Sequence, residues 1–512
     1  MARVAAQLSN FTAGELSPRL DGRNDLAKYS AGCATVENMV IYPHGAAARR
    51  PGTQYVSSVK TPANKTRLIP FEFSTTQTYI LELGNQYIRF YKDNGQILSS
   101  GSPYEISSPY LTAEIFDIKF AQSADVMYIT HPNHKTRKLS RTGHTSWTLT
   151  EVDFVNGPYL DTNSSTTTIT ASAHTVGTGR TFTASASTFA STDVGRLVRF
   201  RDGYAEITGF TSATVVTVEI LKDTGSTSGS TDWSLGAFSD TTGHPSCVSF
   251  FEQRLVFAAT LNNPQTVYFS KSGDYENMDA NIGGTVADDD AIIYTIASNQ
   301  VNAIRFMAAG RTLIIGTAGG EFTVSGGGDN DAVTPTNILI KKQSNHGAAN
   351  TDAIAVANAT LFLQRAKRKI RELAYNFDVD GYTAPDLTIL AEHITEGGIV
   401  EMAYQEEPLA IIWCVRNDGE LIALTYQREQ EVVAWHRHVF GGAFGTDKAV
   451  CESVAVIPTE DSEYELYMII KRTINGATTR YVEYLNTFDF DQTDNTSFNF
   501  LDSQLNYSGA TS

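Results

Sequence analysis

The chain has 512 residues, 41% of them hydrophobic, enough apolar content to give a core to each of two or more domains. Fifty-six acidic residues against 39 basic ones leave a net charge of −17 and a pI near 5.0, the wrong sign for a protein that grips nucleic acid by its phosphates. No apolar run approaches the ~18 residues of a membrane-spanning helix, since even residues 409–415 run at once into Arg416, Asn417 and Asp418.

The first ten residues, MARVAAQLSN, carry one charge and no apolar stretch, so no secretory signal is expected and the chain is expected to fold in a cytoplasm. Asn24 is placed to cap a helix carrying Leu26, Tyr29, Cys33 and Val36 on one face, with Gly32 weakening it. From Ile69 onward one pattern returns seven times: an alternating strand, a nearly all-apolar strand, then another alternating strand. The copies are IPFEF/YILEL/YIRFY, FDIKF/VMYIT/TRKLS, VSFFE/RLVFAAT/TVYFS, AIRFM/TLIIGT/EFTVS, AIAVA/TLFLQ/IRELAY, IVEMAY/LAIIWCV/LIALTY and SVAVI/ELYMII/TRYVEYL.

β-branched and aromatic residues fill these runs, with Gly, Asn, Asp and Pro between them, as in antiparallel meanders. A small sheet with one very apolar strand cannot bury both faces alone, whereas radial packing of several such sheets can. The expected fold is therefore mostly β, a β-propeller of about seven irregular blades, with an array of β-sandwiches as the alternative. Residues 161–244 differ: a Ser/Thr-rich stretch leads into VGRLVRFRDGYAEITGF and TVVTVEIL, which read as a small β-barrel or sandwich inserted into a propeller loop. A flexible linker is the alternative for 161–192.

Cys33, Cys247, Cys414 and Cys451 form no C-x-x-C pair, so neither a disulfide framework nor a zinc site is expected. His131/His134 and His436/His438 are spaced closely enough to share a ligand, but neither pair has a Cys or carboxylate at metal spacing, and no metal site or other cofactor is expected. Asp288-Asp289-Asp290, Asp378-x-Asp380-Gly381 and Asp489-x-Asp491-x-x-Asp494 resemble fragments of calcium loops without completing one. Standard nucleophile and phosphate-loop motifs are lacking, so no catalytic residues are assigned. A glycan-degrading propeller, which would need two carboxylates across a cleft, remains the enzymatic alternative.

Residues 10–56 read NFTAGELSPRLDGRNDLAKYSAGCATVENMVIYPHGAAARRPGTQYV. This segment resembles the N-terminal signature of the tail nozzle proteins (tail tubular protein B) of short-tailed bacteriophages, through G-E-L-S-P, G-R-x-D-L-x-K-Y, G-C, E-N and G-A-x-x-R-R-P-G-T. Further resemblance lies at PSCVSFFEQRLVFAAT from Pro245, SKSGDYENMD from Ser270, IASNQVNAI from Ile296 and AWHRH from Ala434. The resemblance implies a structural, non-enzymatic subunit of the virion tail, assembled in the host cytoplasm. It further implies six copies forming a ring below the adaptor or connector, with tail fibres as possible neighbours and viral DNA passing through to be ejected. Six copies at −17 would make a ring of about −100, which lets DNA slide without tight binding. A receptor-binding or fibre-docking role for the insertion is the second reading.

The expected divisions are 1–60, a ring- or adaptor-contacting segment; 61–160, the first blades; 161–244, the insertion; 245–490, the remaining blades; and 491–512, a C-terminal tail. Arg19, Arg23, Arg49 and Arg50 cluster in the first segment, either as contacts to a neighbouring ring or subunit or as intrachain pairs. The run RAKRKIR, read as a strand, would send Arg365, Lys367, Lys369 and Arg371 to one face and Arg368 to the other. That patch is read as an inter-blade or subunit contact, or alternatively as a lumenal phosphate contact.

Overall fold

The computed structural model describes residues 8–298, 300–328, 331–460, 463–488 and 498–505. Among them, seven antiparallel meanders follow one another: 67–107, 119–151, 247–295, 304–344, 354–383, 399–438 and 450–485. They are blades 1 to 7 of a β-propeller and coincide with the seven repeats of the sequence.

The repeat's all-apolar strand is explained by its position, second in each blade and covered on both sides. Successive residues of a strand point to opposite faces, so in blade 3 Leu255 and Phe257 pack against blade 2 while Val256 and Ala258 pack against blade 4. In blade 6, Ile412 and Cys414 face blade 5, and Ile411, Trp413 and Val415 face blade 7. Seven such interfaces, one between each pair of neighbours, form the core of the propeller. Each fully buried Leu, Ile or Phe in them contributes ~1.5–3 kcal/mol.

The ring is closed by sequence-distant pairing. Blade 7 takes its outermost strand, Thr53–Ser58, from the N-terminal part of the chain, where it pairs antiparallel with Ala477–Leu485. Gly14–Glu15 lies parallel beside Gly32–Cys33 and touches Val432–His438 of blade 6 at Trp435. Within 1–60, expected as a ring- or adaptor-contacting segment, residues 14–58 thus build part of the propeller. The helix expected after Asn24 is not formed: Ala27–Ala31 is a 3-10 turn entered from Leu26 without a side-chain cap, and Gly32 is extended. The parallel pairing of Gly32–Cys33 draws the chain straight where the helix would have continued.

Between blades 2 and 3 stands the inserted domain, a six-stranded sheet over 169–235 with its own core, including Phe182, Phe200, Val216 and Val218. A bridge between Ile169 and Ser230 brings its two edges together, which curls the sheet toward a barrel. The Ser/Thr-rich stretch supplies two of the strands, Ile169–Ala171 and Gly177–Ala184, so it is not a linker. The connecting segments belong to the propeller instead. Ala237 donates to the Pro158 carbonyl at 2.8 Å, and Phe154 and Phe238 pack with Phe257 of blade 3.

Candidate functional site: the propeller axis and the signature loops

The first strands of the blades surround the axis, and several place a charged side chain on it. Arg67 of blade 1 is buried; its Nε donates to Glu401 of blade 6 at 3.0 Å, and its Nη1 donates to the carbonyls of Ile115 and Ile118. Glu401 also accepts the Ser453 hydroxyl at 2.7 Å and the Val454 N–H at 3.0 Å, both from blade 7. Lys119 of blade 2 reaches Asp352, at the entrance to blade 5, at 2.7 Å. Two cations and two anions thus tie five blades together across an axial cavity of about 330 Å³. These four charges are neutralised in pairs. A duplex whose major groove alone is ~12 Å wide cannot thread it.

The pieces of the N-terminal signature meet on the outside of blade 6. Glu15 is buried, accepting the Val36 N–H at 2.8 Å, His393 Nε2 at 2.8 Å and Arg437 Nε at 3.1 Å. Gly14 has φ +64°, and a Cβ there would collide with the Trp435 backbone, so the Gly of G-E-L-S-P is needed for close approach. Asn38, at φ +56°, accepts the Val439 N–H at 2.9 Å and Arg50 Nε at 3.2 Å.

Of the four N-terminal arginines, Arg50 is corrected from interface candidate to internal structure. It is buried, forks onto both oxygens of Asp502 at 2.8 and 2.7 Å, and donates to the carbonyls of Pro51 and Val439. The same guanidinium outweighs burial and holds the Asp502 carboxyl below its ordinary range. Arg23 forks onto its neighbour Asp25, and Arg19 pairs with Glu392 at 3.3 Å while staying exposed. Arg49 is exposed, with its guanidinium over the Phe500 ring.

The basic run is also corrected. It does not lie along a strand: Ala359–Leu363 ends before it, Ile370–Asn376 starts within it, and Lys367 sits at φ +60° in the hairpin turn between them. No common face results. Lys369 pairs with Asp386 at 2.7 Å, and Arg371 donates to Gln364 and to the Ala384 carbonyl. Arg365 and Arg368 are exposed, and Lys367 is half-buried.

Asp288–Asp290 is a backbone anchor, with Arg254 donating to the carbonyls of all three residues and Lys271 pairing with the Asp290 carboxylate at 2.7 Å. Asp378 and Asp380 shape a 3-10 turn, with the Tyr375 hydroxyl on Asp380; Asp489, Asp491 and Asp494 lie outside the described residues. The four cysteines are free thiols, three of them buried. His436 and His438 are buried in blade 6, joined Nδ1 to Nε2 at 2.8 Å. His131 and His134 do have a carboxylate beside them, which sequence spacing missed: Glu114, from a different loop, lies 3.0 Å from His134 Nε2. The axial set escaped sequence reading for the same reason, since Arg67 and Glu401 are 334 positions apart.

No family model matches the chain, and no curated protein matches it. Among solved structures it is similar to the Pan2 WD40 domain of Neurospora crassa, at 11% identity and a TM-score of 0.32 over 73% of this chain and 90% of that one. It is also similar to the Cps50 (Swd1) β-propeller domain of Myceliophteria thermophila, at 9% identity and TM-score 0.38, covering 85% of this chain and 100% of that one. A third similar structure is BamB from Moraxella catarrhalis, at 10% identity and TM-score 0.36, covering 85% and 98%. Scores this low add nothing to what the seven sheets show directly.

Proposed function

We propose that the chain is a structural subunit of the tail of a short-tailed bacteriophage, a copy of the nozzle ring through which DNA leaves the virion. The observation that carries this reading is the signature segment 10–56, whose separated motifs converge on one another and on the AWHRH strand of blade 6. Residues that a resemblance marks only as similar letters therefore have a shared structural task.

The plugged axis adds a constraint. In this reading the DNA conduit lies between copies, along their outer surfaces, and never through the centre of a propeller. A net charge of −17 per copy leaves such a conduit non-adhesive toward phosphates. The reading assigns no catalysis to the chain. Arg19, Arg23 and Arg49, the exposed members of the N-terminal arginines, are the candidates for contact with the adaptor ring.

Negative-stain microscopy of the purified protein mixed with the phage connector complex tests the proposal. Six-fold rings with a central hole are the expected result. Decoration of the connector by single, unclosed copies, or no association, would overturn it.

A further inference from the structure

Besides the axis, one set of side chains has the composition of a metal site. Glu114, His131 and His134 are, among the described residues, the group of His, Cys and carboxylate side chains whose donor atoms come together, all within 4.8 Å of one another. Two imidazoles with one carboxylate suit a Zn²⁺-class ion, which takes three protein ligands and a further oxygen donor.

Three elements bring the donors together. The turn at 131–134 joins strands Val126–His131 and His134–Gly143 of blade 2, and Pro132-Asn133 turns both rings to the same side, their centroids 5.0 Å apart. Glu114 comes from the loop between blades 1 and 2, held by the Leu111 N–H at 2.8 Å, and meets His134 Nε2 at 3.0 Å. Tyr110 packs beside both rings. It is fully buried with its ring edge-on to His134, centroids 5.2 Å apart, and its hydroxyl has no hydrogen-bond partner. A buried, unpartnered hydroxyl costs ~1–3 kcal/mol.

We infer that Glu114, His131 and His134 form a binding site for a divalent transition-metal ion of the Zn²⁺ class, which clips the 108–118 loop to the turn at the foot of the inserted domain. The foot is fixed to that turn directly, because the His244 N–H, where the chain returns from the insertion, donates to the Pro132 carbonyl at 3.0 Å.

The geometry needs little adjustment. Donors around a tetrahedral Zn²⁺ at ~2.0–2.1 Å stand about 3.4 Å from one another; His134 and Glu114, 3.0 Å apart, are already this close, and the third donor, within 4.8 Å of them, must close by up to about 1.4 Å. Neutral imidazole and carboxylate are the ligand forms the ion requires. The proton shared between His134 Nε2 and Glu114 is the one it displaces. The Asn133 N–H reaches His131 Nδ1 at 3.2 Å, the long end of the hydrogen-bond range, so an ion taking that lone pair displaces a weak contact. Nearby Arg137 is held away by Glu151 at 2.8 Å.

The test uses the full chain, stripped with chelator and titrated with Co²⁺, followed by Zn²⁺ competition. One equivalent of Co²⁺ with the intense visible bands of a four- or five-coordinate ion is expected, displaced by Zn²⁺. His134→Ala and Glu114→Gln should each weaken binding more than the ~10–100-fold that loss of an outer partner costs. His174→Ala, at an exposed pair with Asp223 in the insertion, should leave binding unchanged. Hydrogen exchange of the unaltered protein provides a readout independent of any variant: Zn²⁺ should slow exchange in 108–118 and 131–134. Millimolar or weaker Co²⁺ binding, affinity unchanged in both ligand variants, or exchange indifferent to Zn²⁺ would each overturn the site.

Discussion

Glu15 and Arg437 stand 422 positions apart in the chain, yet the Arg437 Nε–H meets Glu15 Oε2 at 3.1 Å while Nη2 contacts Oε1. The pair anchors the N-terminal segment to blade 6, just before that segment supplies the last strand of blade 7. Removing one member of a buried pair leaves the other charge uncompensated, at ~3–5 kcal/mol, and the partial exposure of Arg437 places this pair at the lower end. Glu15→Gln should therefore lower stability by about 3 kcal/mol in urea titration. A change under ~0.5 kcal/mol would mean that the segment is held by its backbone pairing alone.

The axial set behaves differently from a surface pair because Arg67 and Glu401 are both buried. Arg67→Met should cost ~3–5 kcal/mol, and Arg67→Met combined with Glu401→Met should cost less than the sum of the two single changes. Calorimetric melting of the four proteins in this cycle measures the coupling. Strict additivity would show that the pair does not connect blades 1 and 6.

The boundary of the insertion can be tested by two deletions. Removing 161–235 and bridging with a short Gly/Ser linker keeps Ala237 and Phe238, which pad the interface of blades 2 and 3 beside Phe154, Phe257 and Tyr268. Removing 161–244, the extent read from the sequence, takes them away. The shorter deletion should remain folded, and the longer one should lose ~3–5 kcal/mol for the missing Phe alone. Equal melting temperatures for the two would place Phe238 outside the core.

Seven blades were legible in the sequence because the second strand of each is apolar on both faces, a local pattern that a blade's position dictates. What was not legible was nonlocal or broke a local rule. The 3-10 turn at Ala27–Ala31 replaced a helix because Gly32–Cys33 pairs with Gly14–Glu15, a tertiary choice that overrides helical spacing. The basic run looked like a strand because its turn contains no Gly, Asn or Asp; Lys367 itself takes the left-handed conformation. Glu114 lay in a loop with no motif linking it to His131, and Arg50 gave no sign that its partner was Asp502.

His436 and His438 make stability depend on pH. Burial depresses His436 to about 3 and, together with the neighbouring His436 and Arg50, holds His438 well below the ordinary histidine range. Above the unfolded value of ~6.5 both rings are neutral whether the chain is folded or not, and they contribute no pH dependence. Below it the unfolded chain takes up protons that the folded chain refuses, so stability falls with pH, by up to ~1.4 kcal/mol per pH unit for each ring. Urea midpoints between pH 7.5 and 5 should show this loss, with a shallower slope in His436→Gln. An unchanged slope in that variant would assign the loss to carboxylates instead.

The corrected basic run sharpens the expectation about DNA. Nonspecific affinity grows with the number of phosphates neutralised, each contributing to a steep salt dependence. Lys369 is already paired with Asp386, and Arg371 is spent on Gln364 and the Ala384 carbonyl. Arg365 and Arg368 with half-buried Lys367 remain on a hairpin turn, too few to hold a duplex against the −17 of the whole chain. The purified protein should give no gel shift with duplex DNA at about 150 mM salt. A micromolar shift that disappears in Arg365→Glu with Arg368→Glu would instead identify the turn as a phosphate contact, and would replace a non-adhesive conduit by one that brakes its cargo.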